Sequence, residues 1–508
     1  MPNGESHTFF SNLNKRVAFL ITLLLISPFI FSQRFVTRSI KDFGAKGDGH
    51  TNDQQAFEKA SDFFNKRNGN GKLIISKGIY IAGKQLFIGN IAGSTSMYSA
   101  GTVLKMQGCT NMEIEGQSGA IIRNPDSMRI GTFSPKTGKA LRDSIKNLAM
   151  QAEYGKYAAN VTNVIVIAEC VGIKVSGLGL DGNVGNFIFG GNWGIGKKAY
   201  ELIHYGVYVV DSKNVTVKNC NIRNFACDGI YISNTGEEIK TRNITIDRCT
   251  VNFCGRNGLS WIGGENIKVI NSVFSNQGRG MVQESPGAGI SIEAENNSSC
   301  RDGFFFNCVM ENNAGSAITS GSSKLSSRVK FKKCKAASPD YYTLFVDASS
   351  HEFEDCRFYG TVLIWYRAAS KSDAVKFRQC SFEENYCNKK MYDGTYLVGA
   401  EATGTSFENC SFRSYTTASY YLNGLTKNCD PENFELLNVS GCRFYNFSTS
   451  GSALGKGIAG MAGHAVFYDN RFYANKGFRF QNGFELPCHT DYGKNIFADV
   501  SSIAPGSK

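Results

Sequence analysis

Asn214-Val-Thr-Val-Lys-Asn-Cys220, Asn243-Ile-Thr-Ile-Asp-Arg-Cys249 and Asn266-Ile-Lys-Val-Ile-Asn-Ser272 are copies of one alternating pattern. Around them sit Gly206-Val-Tyr-Val, Gly229-Ile-Tyr-Ile, Gly258-Leu-Ser-Trp and Gly289-Ile-Ser-Ile, copies of a second pattern. Alternation of period two is a strand signal, and Gly, Asn and Asp at its boundaries are turn residues. The first pattern continues through Phe306-Asn-Cys308, Phe331-Lys-Lys-Cys334, Phe353-Glu-Asp-Cys356, Phe377-Arg-Gln-Cys380, Phe407-Glu-Asn-Cys410, Val439-Ser-Gly-Cys442 and Phe467-Tyr-Asp-Asn470. A unit this short cannot bury its apolar face alone and has to stack on its neighbours. The uneven spacing suits a wound coil with variable loops better than a propeller with fixed blades. The expected fold is all-β: a right-handed, single-stranded parallel β-helix.

A solenoid can carry 508 residues as one piece. Aromatics at 12% and charged residues at 19% describe an ordered chain. The formal charge of +12 favours a polyanionic partner, acidic polysaccharide first. No Lys/Arg run interleaved with aromatics marks a nucleic-acid groove, so no nucleic-acid partner is expected. Of the 16 cysteines, Cys220, Cys249, Cys308, Cys334, Cys356, Cys380, Cys410 and Cys442, with Cys170, share one phase of the repeat. They read as an internal stack of small apolar side chains, close enough between coils for bridging. No Cys/His cluster has zinc spacing.

The polar residues 1–16 end in Lys15-Arg16, and an apolar run follows from Val17 to Phe31. With small Ser32 before Gln33, that is the layout of a signal peptide over residues 1–32, with the β-helix domain over 33–508. The protein is therefore expected to be secreted, periplasmic or at the cell surface, without stable membrane insertion after cleavage. An uncleaved anchor is the alternative, although the run is short for a span.

Next comes Ile40-Lys-Asp-Phe-Gly-Ala-Lys-Gly-Asp-Gly-His-Thr-Asn-Asp53, then a helical stretch, then Gly71-Lys-Leu-Ile-Ile-Ser-Lys-Gly-Ile-Tyr80. Ala56, Phe57, Ala60, Phe63 and Phe64 share one helix face, and Thr51 or Asn52 can cap its first turn. Asp48, Asn52 and Asp53 read as turn and capping residues rather than calcium ligands, because no EF-hand spacing follows. Such a helix would shield the open N-terminal end of the solenoid, within a cap of about residues 38–80.

These residues, and the repeat after them, resemble the pectate lyase superfamily. They are similar to the start of polygalacturonases, rhamnogalacturonan-acting enzymes and phage tailspike depolymerases. The resemblance implies the β-helix and a polysaccharide partner, but no single chemistry, since the superfamily holds hydrolases, lyases, epimerases and non-catalytic binders. The Asn-Thr-Asp, Asp-Asp, Gly-His-Gly and Arg-Ile-Lys segments of polygalacturonases are not present in full; Asn234-Thr-Gly236 lacks the acid. Nor is the Asp/Glu metal ladder of pectate lyases evident.

Stacking the glycine-led strands sets Tyr205, Asp228, Asn257 and Ala288 in one row, and His204, Cys227, Arg256 and Gly287 in the row before it. His204, Asp228, Arg256 and Asn257 would then form one patch. β-Elimination needs a cation to neutralise a uronate and a base for its C5 proton. Arg256 and Arg279 are candidates for the first role, His204 or Tyr205 for the second. Hydrolysis needs two carboxyls, and Asp228 with Glu284 is the pair the sequence offers. Glu293 and Glu295 point to one side of their strand, as ligands of substrate or calcium; no other cofactor is expected. Between Asn183 and Glu201 an insertion carries Gly190-Gly-Asn-Trp193-Gly194, whose Trp193 suits sugar stacking.

The bland alternatives are concrete. Asp before a strand bonds its own backbone, and Asn before Gly is turn chemistry. The sequence thus points to an exported glycoside hydrolase or polysaccharide lyase acting on a long, acidic polysaccharide. A uronate epimerase and a non-catalytic glycan-binding or adhesin-like β-helix are the alternatives.

Overall fold

The computed structural model describes residues 34–91, 95–141, 161, 163–190, 202–384, 396–415, 419–424, 430, 433–447, 465–474, 490–491 and 494–499. The chain divides into two units, Met1–Phe35 and Val36–Lys508. The expected signal peptide lies outside the described residues.

The second unit is a coil of short parallel strands. Each full turn has a glycine-led strand, a longer one after the αL asparagine, and a third after the cysteine. Ile230–Ser233, Arg242–Asp247 and Thr250–Asn252 make one such turn. Leu259–Trp261, Gly264–Ile270 and Val273–Ser275 make the next. Each strand pairs in parallel with its equivalent one turn on, so Ile230 faces Leu259, Ile244 faces Ile267 and Val251 faces Phe274.

The repeat's conserved-looking letters have separate physical causes. Asn214, Asn243 and Asn266 adopt φ of 56°, 60° and 58°, a left-handed conformation Asn tolerates. Their amides also bond coil to coil, Asn243 Nδ2 to Asn214 Oδ1 at 2.9 Å and Asn266 Nδ2 to Asn243 Oδ1 at 2.6 Å. Gly258 leads its strand because a Cβ there would lie 2.7 Å from the Gly289 carbonyl oxygen.

Inside, like side chains stack. Phe305, Phe331, Phe353, Phe377 and Phe407 form one column with centroids 4.4–5.1 Å apart and nearly parallel planes. Phe358, Phe382, Phe412, Phe444 and Phe472 form a second. Each stacked pair contributes about 0.5–1.5 kcal/mol beyond its area burial. The cysteine row runs beside them, and from Cys249 to Cys442 each thiol donates to a backbone carbonyl one coil back, as Cys380 Sγ does to Phe353 O at 3.3 Å. Cys170 departs from the expectation: it precedes its long strand and sits beside Cys109 and Ser212, in a different row. After Cys442 the column ends in Asn470, whose Oδ1 accepts from Cys442 N at 2.9 Å.

The expected helix spans Gln54–Lys66 and buries Ala56, Phe57, Ala60 and Phe64 against the core, with Phe63 partly buried beside them. Its start differs in detail from the expectation. Asp53 is the N-cap residue but gives no side-chain cap; its carboxylate accepts from Lys46 N and Gly47 N, while Asn52 Oδ1 accepts from Gln54 N at 3.1 Å. Asp48 accepts from His50 N and Thr51 N, which holds its carboxyl below the usual range. Among the described residues no helix is long and apolar enough to cross a membrane.

Candidate functional site

Backbone register follows the stacking read from the sequence. Gly206 N donates to Asp228 O, Gly229 N to Asn257 O and Gly258 N to Ala288 O, all within 3.2 Å. This aligns Tyr205, Asp228, Asn257 and Ala288. Cys227 N donates to His204 O and Arg256 N to Cys227 O, which aligns the row before it.

The side chains on those rows do not form the expected catalytic patch. His204 is sealed inside, 0% exposed. Its Nδ1 accepts from Ala226 N at 3.0 Å, so Nε2 carries the proton and donates to Asn124 Oδ1, also at 3.0 Å. Phe187 and Phe225 pack on the ring, and burial lowers its pKa to about 3. A neutral imidazole with both nitrogens bonded and no path to solvent is not a base for a substrate. Asp228 is equally buried. Arg256 grips it through Nε–H to Oδ1 and Nη2–H to Oδ2, and Asn257 N donates to Oδ1 at 2.9 Å. Arg256 also lies 5.8 Å over the Tyr231 ring, its side chain only 14% exposed. Its charge is matched by Asp228 rather than offered to a uronate.

The remaining candidates scatter. Asn257 is turn chemistry: its Nδ2 donates to Ser260 Oγ at 3.0 Å and its Oδ1 accepts from Ala288 N at 2.8 Å. Glu284 is buried, with Oε1 accepting from Leu202 N at 2.8 Å, so it is not poised opposite Asp228 across a sugar. Arg279 donates to Asn312 O, Asn313 O and Asp340. Tyr205 is buried and stacks on Tyr231 at 4.3 Å and 5°, and burial raises its phenol pKa, so it holds its proton. Glu295 is exposed beyond the strand end. Trp193 lies outside the described residues.

Glu293 is the exception, and it leads to an outward row the sequence reading passed over. One position inside the glycine-led strands, Tyr208, Tyr231, Ser260, Ser291, Thr319, Phe345 and Leu363 stand one above another. Two residues further along, on the same face, come Glu293 after Ile292, Gly321 after Ser320, Asp347 after Val346 and Trp365 after Ile364. The row begins with an aromatic pair, Tyr208 and Tyr231 at 5.4 Å, with Ser233 Oγ donating to Tyr208 Oη at 3.1 Å. It passes through Ser260, Ser291 and Thr319, which are buried, to Phe345 and Leu363, and the Phe345 ring meets that of Trp365 on the neighbouring row edge-on at 5.5 Å. Glu293 Oε2 accepts from Ser291 Oγ at 3.3 Å. A Cβ on Gly321 would meet only the Glu293 side chain within 4 Å, at 3.8 Å. The sequence did carry the signal: Tyr208 and Tyr231 occupy the same phase of consecutive repeats.

Burial raises the phenol pKa values of Tyr208 and Tyr231, so both are hydrogen-bond donors at neutral pH. Among the described residues no group of three His, Cys, Asp or Glu side chains is placed to hold a metal ion.

Such stacked coils define a class, and the family model described as "Right handed beta helix region" matches residues 144–299, 281–435 and 323–499. The chain belongs to that right-handed β-helix family. Among solved structures it is similar to the Azotobacter vinelandii mannuronan C-5 epimerase AlgE6 A-module, at 15% identity and TM-score 0.48, covering 92% of this chain and 99% of that one. It is similar to the pre-mature bacteriophage phi29 gene product 12, at 14% identity and TM-score 0.46, covering 87% and 53%. It is also similar to tailspike protein gp49 from Acinetobacter baumannii bacteriophage Fri1, a capsular polysaccharide depolymerase, at 12% identity and TM-score 0.35, covering 90% and 63%. No curated protein matches the chain.

Proposed function

We propose that the protein is an exported carbohydrate-active enzyme that takes an extended polysaccharide along the outward face of its glycine-led strands. The observation that supports this is the row from Tyr208 to Phe345, with partly exposed aromatic rings at both ends and the buried Ser260, Ser291 and Thr319 between them, flanked by the half-buried carboxylates of Glu293 and Asp347. Flat apolar rings suit the C–H faces of pyranoses, and carboxylates suit their edges.

Hydrolysis fits the face better than elimination. Glu293 and Asp347 each follow the end of a paired segment, two coil steps or about 10 Å apart along the axis, with Gly321 on the intervening coil, where the register shifts just past Ser320. Inverting hydrolases place their carboxyls about 6.5–9.5 Å apart, a spacing on the same scale. Elimination would call on Arg256 and a base beside it, and Asp228 already holds that guanidinium.

Non-catalytic glycan binding is the second reading, favoured by the burial of His204, Asp228 and Glu284. A panel of plant, algal and bacterial polysaccharides separates the outcomes. A hydrolase gives new reducing ends, a lyase gives ultraviolet absorbance from its new double bond, and a binder gives retention without either. An epimerase would change uronate stereochemistry with no shortening. The hydrolase reading fails if ultraviolet absorbance rises with product, or if no polymer in the panel is shortened.

A further inference from the structure

Resting on that reading, we propose that Phe345 and Trp365 form an outer subsite that stacks one pyranose of an uncharged glycan, four coils from Tyr231. Three features of the face carry this. The first is exposure: Trp365 is 50% and nearby Tyr341 37% exposed, and both belong to one connected group of aromatics. Tyr341 and Tyr342 meet at 4.9 Å, Tyr342 and Phe345 at 6.2 Å, and Phe345 and Trp365 at 5.5 Å, so the rings form one continuous platform.

The second is continuity. Phe345 stands in the same strand register as Tyr231, with the small, buried Ser260, Ser291 and Thr319 on the coils between, so no bulky side chain of the row stands between the two aromatic stations. Four coil steps are about 19 Å. A chain of about five sugar units, each advancing on the scale of one coil, reaches both aromatic stations.

The third is charge. The row from Tyr208 to Leu363 holds no Lys or Arg, and the row beside it holds Glu293, Asp347 and, one coil past Trp365, Glu401. Arg367 near the platform is itself 3.8 Å from Glu401. On the longer strands, by contrast, Lys72, Lys330 and Lys332 pair with glutamates. Carboxylates beside aromatic rings bind vicinal hydroxyls and repel uronates. The net charge of +12 favours an acidic partner for the chain as a whole, and a neutral glycan at this face departs from that expectation on the local charges alone.

The test measures binding by isothermal titration calorimetry, at a temperature low enough to slow turnover. The probes are gluco-, manno- and xylo-oligosaccharides of three and six units, against galacturonate and mannuronate oligomers of the same lengths. A neutral hexasaccharide series should bind at least about tenfold tighter than its trisaccharide. Trp365→Ala and Phe345→Ala should each erase that gain while leaving the melting temperature unchanged. If both variants keep the hexasaccharide advantage, or if the acidic oligomers bind tighter than the neutral ones, the subsite assignment is overturned and the polysaccharide reading survives. If no oligosaccharide of any series binds, that reading falls and takes the subsite with it.

Discussion

Arg256 and Asp228, one coil apart, form a two-pronged ion pair in which the carboxylate is wholly buried and the guanidinium nearly so. Side-on Arg–carboxylate pairs of this kind are geometrically specific and among the stronger hydrogen-bonded contacts. Removing one partner leaves the other charge in a site with almost no water, at a cost of about 3–5 kcal/mol. Arg256→Ala and Asp228→Ala should therefore lower the urea midpoint clearly, while a double replacement by apolar residues should recover part of the loss. Singles that unfold at the wild-type midpoint would show that the pair is solvated.

His204 and His351 make the fold sensitive to mild acid. Both are 0% exposed, and burial lowers their pKa values from 6.5 to about 3 and about 4. Below 6.5 the unfolded chain takes up protons that the folded one refuses, so stability falls as pH drops from 6.5 toward 4. The slope is up to about 1.4 kcal/mol per pH unit for each histidine. Glu354, lowered to about 2 by Lys330 and Lys332, loses its contribution only below its ordinary 4.5. Between pH 7 and 5 the histidines dominate. His204→Gln, measured by urea unfolding at both pH values, should lose less stability on acidification than wild type. An equal loss would place the acid sensitivity elsewhere.

The cysteine row should be chemically silent. All thirteen cysteines among the described residues are buried free thiols. Burial raises the pKa values of Cys356 and Cys380 far above the ordinary range, which suppresses the reactive thiolate. A chromogenic disulfide reagent at neutral pH should leave these thiols untouched in the native protein and titrate them in step with unfolding. Reaction beyond Cys387, Cys429 and Cys488, which lie outside the described residues, would show that the column opens locally.

Period-two alternation and the recurrent Gly, Asn and Cys made the coil legible because each is forced by a local constraint: a close approach, a left-handed turn, a one-sided core. Register followed, since stacking equivalent glycines leaves no freedom along the strand. What the rows could not tell was side-chain direction at the turn before each glycine. There the chain leaves the strict in-out alternation, so His204 turns inward onto Phe225 while Arg256, in the same row, reaches Asp228. The strand positions themselves obey alternation, and Tyr208, Tyr231, Glu293 and Asp347 were readable there. Trp365 was harder to find, because it follows a strand of only three residues, Val362–Ile364.

Glu293 and Asp347 carry the sharpest functional prediction. Both are half-buried on the outward face, and a Cβ at Gly321 on the coil between them would meet only the Glu293 side chain within 4 Å. If one carboxyl protonates the leaving oxygen and the other activates water, Glu293→Gln and Asp347→Asn should each lower kcat by about 10²–10⁴-fold on whichever polysaccharide is degraded. KM should change little, because an amide keeps the hydrogen-bonding shape. Melting temperature should hold within a degree or two, since neither group is wholly buried. Gly321→Ala should reduce kcat without unfolding the coil, by placing a methyl group against Glu293. Near-normal kcat in both amide variants, with glycan affinity intact, would move the protein to the non-catalytic reading and leave the face as a binding surface alone.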